Sequence, residues 1–235
     1  MNIFDYSIIS FLNQFSQNSI LFDEIVNLIA NNKLFKGGIM VSLMWFMWFK
    51  EGKSQQKKVR EQILITLLIS IVAIFVGKTL ALILPFRFRP IHEVNLDFKM
   101  PHGVLETAQI NKGVMLSSMP SDHAILYFAL AIGLYFMSKK IGIWALIYTS
   151  LFIALPRVYL GLHYPTDIIV GAIIGIVIAI IGNVFLMNNR VIKVIMEFSM
   201  NKPGIFYAVF FLFSYQIADL FTDSYGLVRS IINFF

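Results

Sequence analysis

Six stretches of this chain, at residues 34–49, 63–84, 121–137, 141–156, 168–187 and 204–221, are apolar almost throughout and end at charges, Pro or Asn. A helix that crosses a bilayer needs about 20 apolar residues, with every backbone donor and acceptor paired inside the segment. The pattern therefore predicts an all-α, polytopic membrane bundle of about six transmembrane helices. Composition agrees, since 58% of residues are apolar and 14% charged, against about 25% charged in ordinary soluble domains. No Gly/Ser-rich linker or composition shift interrupts residues 1–235, which reads as one domain. Cysteine is absent, so a disulfide, a thiolate metal site and a cysteine nucleophile are all excluded.

Residues 1–33 have a different texture. Phe4, Ile8, Phe11, Leu12 and Phe15 recur at helical spacing, as do Phe22, Ile25, Val26 and Ile29, with polar residues between them. Such helices are expected to lie on the membrane rather than across it. Asp5 without a preceding basic patch gives no sign of a cleavable signal peptide.

Orientation follows from the basic residues. Lys50, Lys53, Lys57, Lys58 and Arg60, then Lys139 and Lys140, then Arg190, Lys193 and Lys202 fall in alternate connections, which marks that side as cytoplasmic. The opposite, external side carries the 85–120 and 157–167 connections, where Arg87, Arg89 and Arg157 run against a charge rule based on topology alone. A site for an anion explains them. The expected partners are membrane lipids and a phosphate-bearing ligand, not nucleic acid.

Three groups of residues point to that site. Lys78 lies in an apolar run eleven residues before Arg89-Pro90, a spacing that returns within about 20° of the same helical face. Ser121 follows Pro120 and precedes an apolar run, the place of an N-cap, and a helix N-terminus with a hydroxyl is also a phosphate cradle. His123 two residues later has no capping purpose, and an unpaired imidazole near lipid is costly. Arg157, His163 and Asp167 form the third group; from four residues away, Asp167 is placed to orient the His163 ring and stabilise its imidazolium. His92 and His102 in the long connection read as solvated, and no metal-ligand spacing is present.

On these residues the sequence resembles the type 2 phosphatidic acid phosphatase superfamily, whose pattern is Lys-x6-Arg-Pro, Pro-Ser-Gly-His and Ser-Arg-x5-His-x3-Asp. The third part matches at Arg157, His163 and Asp167 with Pro156 for the serine, and the second at Pro120, Ser121 and His123 with Asp122 for the glycine. In the first part Arg89-Pro90 is present and Lys78 stands one helical turn too far back, leaving Arg87 as the alternative cation. The likeness covers a core at about 63–187 and, more weakly, an amphipathic start like that of bacterial undecaprenyl-diphosphate phosphatases.

The resemblance implies a multi-pass protein of the bacterial cell membrane, with its active site at the outer face. It implies His163 as nucleophile, Asp167 orienting it, and His123 as the acid for the leaving oxygen. Lys78, Arg89, Ser121 and Arg157 would hold the phosphate, with no cofactor or metal. Asp122 is expected to turn away from a polyanion, and Arg87 to reach the second phosphate of a diphosphate. The expected activity is a lipid phosphatase with undecaprenyl diphosphate favoured. Phosphatidylglycerol phosphate, phosphatidic acid or lipid A phosphatase, or phosphotransferase, remain alternatives. The rival class is an ion-coupled transporter, which predicts charges spread over several depths.

Overall fold

The computed structural model describes residues 2–50, 55–104, 117–187 and 189–222, and all helices and turns below are among them. Lys53 of the basic connection, and Leu105, Lys112, Met115 and Leu116 of the 85–120 connection, lie outside the described residues. Nine longer helices follow in order among the described residues: α1 Ile3–Asn13, α2 Ile20–Asn31, α3 Leu34–Phe49, α4 Gln56–Ile83, α5 Asp122–Met137, α6 Lys139–Tyr159, α7 Pro165–Leu186, α8 Arg190–Asn201 and α9 Pro203–Ala218, with a short 3-10 turn at Pro90–His92 between α4 and α5. The chain is an all-α bundle of membrane type. Three of the helices, α4, α6 and α7, are long and apolar enough to cross a membrane, whereas α3, α5 and α9 are shorter apolar helices.

Two boundaries differ from the sequence reading for identifiable reasons. The fourth apolar stretch does not end at Pro156: α6 runs on to Tyr159, so Arg157 sits in a helical turn rather than a loop. Proline removes a helical N–H, and the π-helical segment Thr149–Ala154 directly ahead of it re-registers the hydrogen bonds there. The connection at 188–202 contains the helix α8, with Ile192 and Met196 turned inward and Val191, Val194 and Phe198 exposed beside its basic residues.

The centre of the bundle is α5, buried from Ala124 to Leu134 except for the partly exposed Phe128 and Ile132, and packed on α4, α6 and α7. Its contact with α7 is unusually close. The inward face of α7 is Gly171, Gly175, Ala179 and Asn183, one small or compact residue per turn, while Ile169, Ile173, Val177 and Val184 face outward. A Cβ at Gly175 would stand 2.2 Å from the carbonyl oxygen of Ile125, so only glycine allows this approach. The consequence is functional: the starts of α5 and α7 meet, and the Ser121 backbone N–H donates to the Asp167 carbonyl at 3.2 Å. On the far side, Trp48 and Trp45 of α3 donate to Tyr207 and Ser214 of α9.

The first helix is amphipathic in an inverted sense. Asp5, Ile9 and Asn13 form its buried stripe, and Ile3, Phe4, Tyr6, Phe11 and Phe15 are exposed. The polar stripe is bonded to the connection after α4: Asn13 exchanges hydrogen bonds with the Lys99 backbone at 2.7 and 2.8 Å, and Ser16 donates to the Lys99 carbonyl at 2.9 Å. In α2, Asp23 is fully buried, accepting from the Tyr159 hydroxyl and from the His102 backbone N–H at 2.9 Å. Apolar side chains facing outward suit helices that rest in the headgroup layer.

Candidate active site

Antiparallel connection places the end of α4, the start of α5, the end of α6 and the start of α7 at one end of the bundle. Between α6 and α7 the chain turns on Gly161, whose φ of +68° belongs to the left-handed region that glycine adopts without strain. The Leu162 and His163 backbone N–H groups both fold back onto the Arg157 carbonyl, at 2.9 and 3.3 Å. The motif spacing is therefore a compact turn that carries Arg157 and His163 to the mouth of α7.

His163 is almost fully buried, and its Nδ1 lies 2.8 Å from the Ser118 carbonyl oxygen. A carbonyl only accepts, so Nδ1 carries the proton and Nε2 keeps its lone pair. Burial, followed by the positive charges of Arg89 and Arg157, holds the imidazole well below its ordinary pKa, so the ring is neutral at physiological pH. A neutral imidazole with a fixed tautomer is a nucleophile. Asp167 serves this ring differently from the sequence expectation: its Oδ2 is 3.9 Å from Nδ1. The same oxygen accepts from the Ser118 hydroxyl at 2.5 Å and from the Tyr164 backbone N–H at 2.8 Å. Asp167 thus fixes the segment whose carbonyl fixes the ring. Ser118 is the residue that sequence reasoning passed over, and its only sequence signal is its place two residues ahead of Pro120.

A small cleft opens beside this ring, lined by Lys78, Arg89, Asp122 and His163, with Gly77 and Ser117. Lys78 and Arg89, joined in sequence by spacing alone, share it. Arg157 lies behind, 6% exposed, with Asp122 and Arg89 as charged neighbours and with its buried Nε lacking a hydrogen-bond partner among the described residues. A buried guanidinium with an unpaired N–H is costly, and a bound anion would relieve that cost. Ser121 is an N-cap, its hydroxyl oxygen accepting from the Ala124 N–H at 3.4 Å, and His123 follows in the first turn.

Two expected residues stand elsewhere. Asp122 does not turn away: it lines the cleft, and its Oδ1 lies 2.8 Å from His123 Nδ1. A histidine in the next position offers a nearer partner than solvent does. Arg87 is not in the cleft lining at all. Its guanidinium is held by Asp5 at 2.6 Å, Asp167 at 2.6 Å and Thr166 at 2.9 Å, and it stacks 3.8 Å from the Tyr164 ring centroid. With two carboxylates already bound, this guanidinium is engaged outside the cleft lining, unlike the ligand expected for a second phosphate. Among the described residues no cluster of three or more histidines and acids suited to a metal occurs.

The PAP2 superfamily, the type 2 phosphatidic acid phosphatase group, matches residues 62–190, more than half the chain. Lipid A 1-diphosphate synthase of Escherichia coli K12 is 34% identical over 182 residues, covering 75% of this chain and 73% of that protein. Undecaprenyl-diphosphatase BcrC of Bacillus subtilis is 23% identical over 174 residues, covering 74% and 80% respectively. The match to the bacitracin transport permease protein BcrC of Bacillus licheniformis, 34% identical, is confined to 64 residues; the chain spans under a third (31%) of that relative. Aquifex aeolicus LpxE has the same fold, with a TM-score of 0.52 at 23% identity over 77% of this chain and 98% of that one. The matched segment holds the cleft and the turn that carries Arg157 and His163 together, and the chain belongs to the PAP2 superfamily.

Proposed function

We propose that this multi-pass bacterial membrane protein hydrolyses a lipid diphosphate to the monophosphate, by way of a phosphorylated His163. The observation that carries the reading is the buried Arg157, unpartnered at Nε, beside a His163 whose Nε2 lone pair is set free by the Ser118 carbonyl. In the first step Nε2 attacks the terminal phosphorus, and the bond from phosphorus to the bridging oxygen breaks. His123, which burial and the Arg157 charge hold below its ordinary pKa, takes up a proton with the anionic head group and gives it to that oxygen, and the Asp122 carboxylate compensates the ring's transient positive charge. In the second step water attacks the phosphohistidine, His123 takes the water proton, and inorganic phosphate leaves. Phosphoryl transfer mainly needs positioning and compensation of the equatorial oxygens, the work assigned to Lys78, Arg89 and Arg157, with the Ser121 hydroxyl at the helix start.

Undecaprenyl diphosphate is the favoured substrate, supported by the name of the B. subtilis relative. The E. coli relative is a synthase of a lipid diphosphate, which keeps transfer to a lipid acceptor as the variant reading. Purified protein in a metal chelator should release phosphate from undecaprenyl diphosphate at least tenfold faster than from phosphatidylglycerol phosphate, phosphatidic acid or lipid A phosphate, a gap of about 1.4 kcal/mol. A reversed preference would move the substrate, label appearing in a lipid acceptor would make it a phosphotransferase, and loss on chelation with recovery on adding a divalent metal would contradict the chemistry.

A transporter reading draws on the name of the B. licheniformis relative. Against it, the charged groups and histidines of the cleft gather at one end of the bundle. We place that end at the outer face, because Lys57, Lys58, Arg60, Lys139, Lys140, Arg190 and Lys193 lie at the other. In this cysteine-free chain, a single Gln55→Cys variant should resist an impermeant thiol reagent added to intact cells, and labelling there would invert the topology.

A further inference from the structure

Asp5 is entirely buried, although it belongs to a helix whose other face is exposed and apolar. Burying a carboxylate is expensive unless it is paired and hydrogen-bonded. Here it is both. Its Oδ1 accepts from the Thr166 backbone N–H at 2.9 Å, and its Oδ2 accepts from the Thr166 hydroxyl at 2.7 Å and from Arg87 at 2.6 Å. Thr166 is the second residue of α7, so a side chain from α1 caps, in trans, the helix that begins at the nucleophile. The other guanidinium nitrogen of Arg87 reaches Asp167 Oδ1 at 2.6 Å, and the Arg87 backbone is itself tied to the serine segment, with its carbonyl accepting from Ser118 N–H at 2.9 Å.

We propose that Asp5 and Arg87 are positioning residues for the reaction: through Asp167 and Ser118 they fix the His163 ring, so the interfacial helix α1 is part of the catalytic support. The chain of contacts runs Asp5 to Arg87 to Asp167 to the Ser118 hydroxyl, and from the Ser118 carbonyl to His163 Nδ1. None of these groups but His163 touches the reacting phosphate. Arg87 holds two buried carboxylates apart from one another electrically, and Asp5 keeps Arg87 from swinging wholly onto Asp167. The bond from Asp5 also anchors α1, whose outer face carries Ile3, Phe4 and Phe11, against the active end of the bundle. Lipid contact at that face and ring alignment at the site thereby become mechanically connected.

This inference rests on His163 as the nucleophile, and the experiment separates the two. Full-length protein in lipid vesicles is assayed with undecaprenyl diphosphate as wild type, His163→Ala, Asp5→Asn, Arg87→Met, Arg87→Lys and the Asp5→Asn/Arg87→Met pair. A reacting group misplaced by about 1 Å costs on the order of 100-fold. Arg87→Met should therefore lose about 100-fold in kcat and Asp5→Asn about 10-fold, each with KM within about threefold of wild type. Arg87→Lys should recover part of kcat, because an ammonium pairs with one carboxylate where a guanidinium pairs with two. The double variant should be no worse than Arg87→Met, since removing Asp5's charge relieves repulsion created by the loss of Arg87. If Arg87→Met does not purify as folded protein, Asp5→Asn and Arg87→Lys carry the same kcat test. Unchanged kcat in Asp5→Asn and Arg87→Lys, loss in KM alone, or multiplying losses in the pair overturns the proposal while an inactive His163→Ala leaves the function standing. An active His163→Ala overturns the function first.

Discussion

His163→Ala and His123→Ala should each lower phosphate release by about four orders of magnitude, with the protein still folded in the membrane. The two imidazoles act in one bond-breaking step, one as nucleophile and one as acid, so removing either forfeits most of what the pair supplies. At about 1.4 kcal/mol per factor of ten, this is roughly 5–6 kcal/mol of transition-state stabilisation. Folding should survive, because His163→Ala costs one hydrogen bond to the Ser118 carbonyl, about 1–3 kcal/mol for the acceptor left unpaired. Asp167→Asn should be milder in activity, since the Ser118 carbonyl still holds the ring tautomer. Phosphate-release assays on purified variants with thermal unfolding measured in parallel check this, and wild-type turnover by folded His163→Ala would refute it.

Arg157→Met should separate activity from stability. The guanidinium is buried with Nε unpaired among the described residues, so its desolvation costs the fold even with the Asp122 carboxylate as a charged neighbour. Methionine fills comparable space without charge, so the variant should unfold at the same or higher temperature than wild type. Its kcat/KM should fall by about a thousandfold, the scale of losing one charged donor to a phosphoryl transition state. Inorganic phosphate or vanadate should raise the unfolding temperature of wild type and leave Arg157→Met nearly unmoved. Activity within tenfold of wild type, or a sharp loss of thermal stability, would make Arg157 a structural residue.

What the sequence disclosed was governed by distance along the chain. Arg157, His163 and Asp167 lie within one turn-helix unit, and their spacing alone carries the pattern. Lys78 and Arg89 do share the cleft, but not through the helical period, because α4 ends at Ile83 and Arg89 stands in extended backbone beyond it. Ser118 and Asp5 were not, because their partners are 49 and 161 residues away and their types are unremarkable for an N-cap region or an interfacial helix. Arg87 shows the limit most clearly. A cation two residues from a motif arginine reads as a phosphate ligand, but which way a guanidinium points depends on where the acids lie, and Asp5 claimed it first. Asp122 was misjudged from the opposite side: repulsion from a phosphate was weighed, and attraction to the adjacent His123 was not. For the bundle, hydropathy located all the apolar segments, whereas their lengths shifted with helix caps and with the π segment before Pro156.

The stereochemical course at phosphorus tests the central claim most directly. Each in-line displacement inverts the phosphoryl group, so attack by His163 followed by attack by water gives net retention, and a single direct attack by water gives inversion. Hydrolysis of a chiral, oxygen-isotope-labelled terminal thiophosphate of undecaprenyl diphosphate should yield thiophosphate with retained configuration. Inverted product would mean that water attacks the lipid diphosphate directly, and that His163 is not the nucleophile.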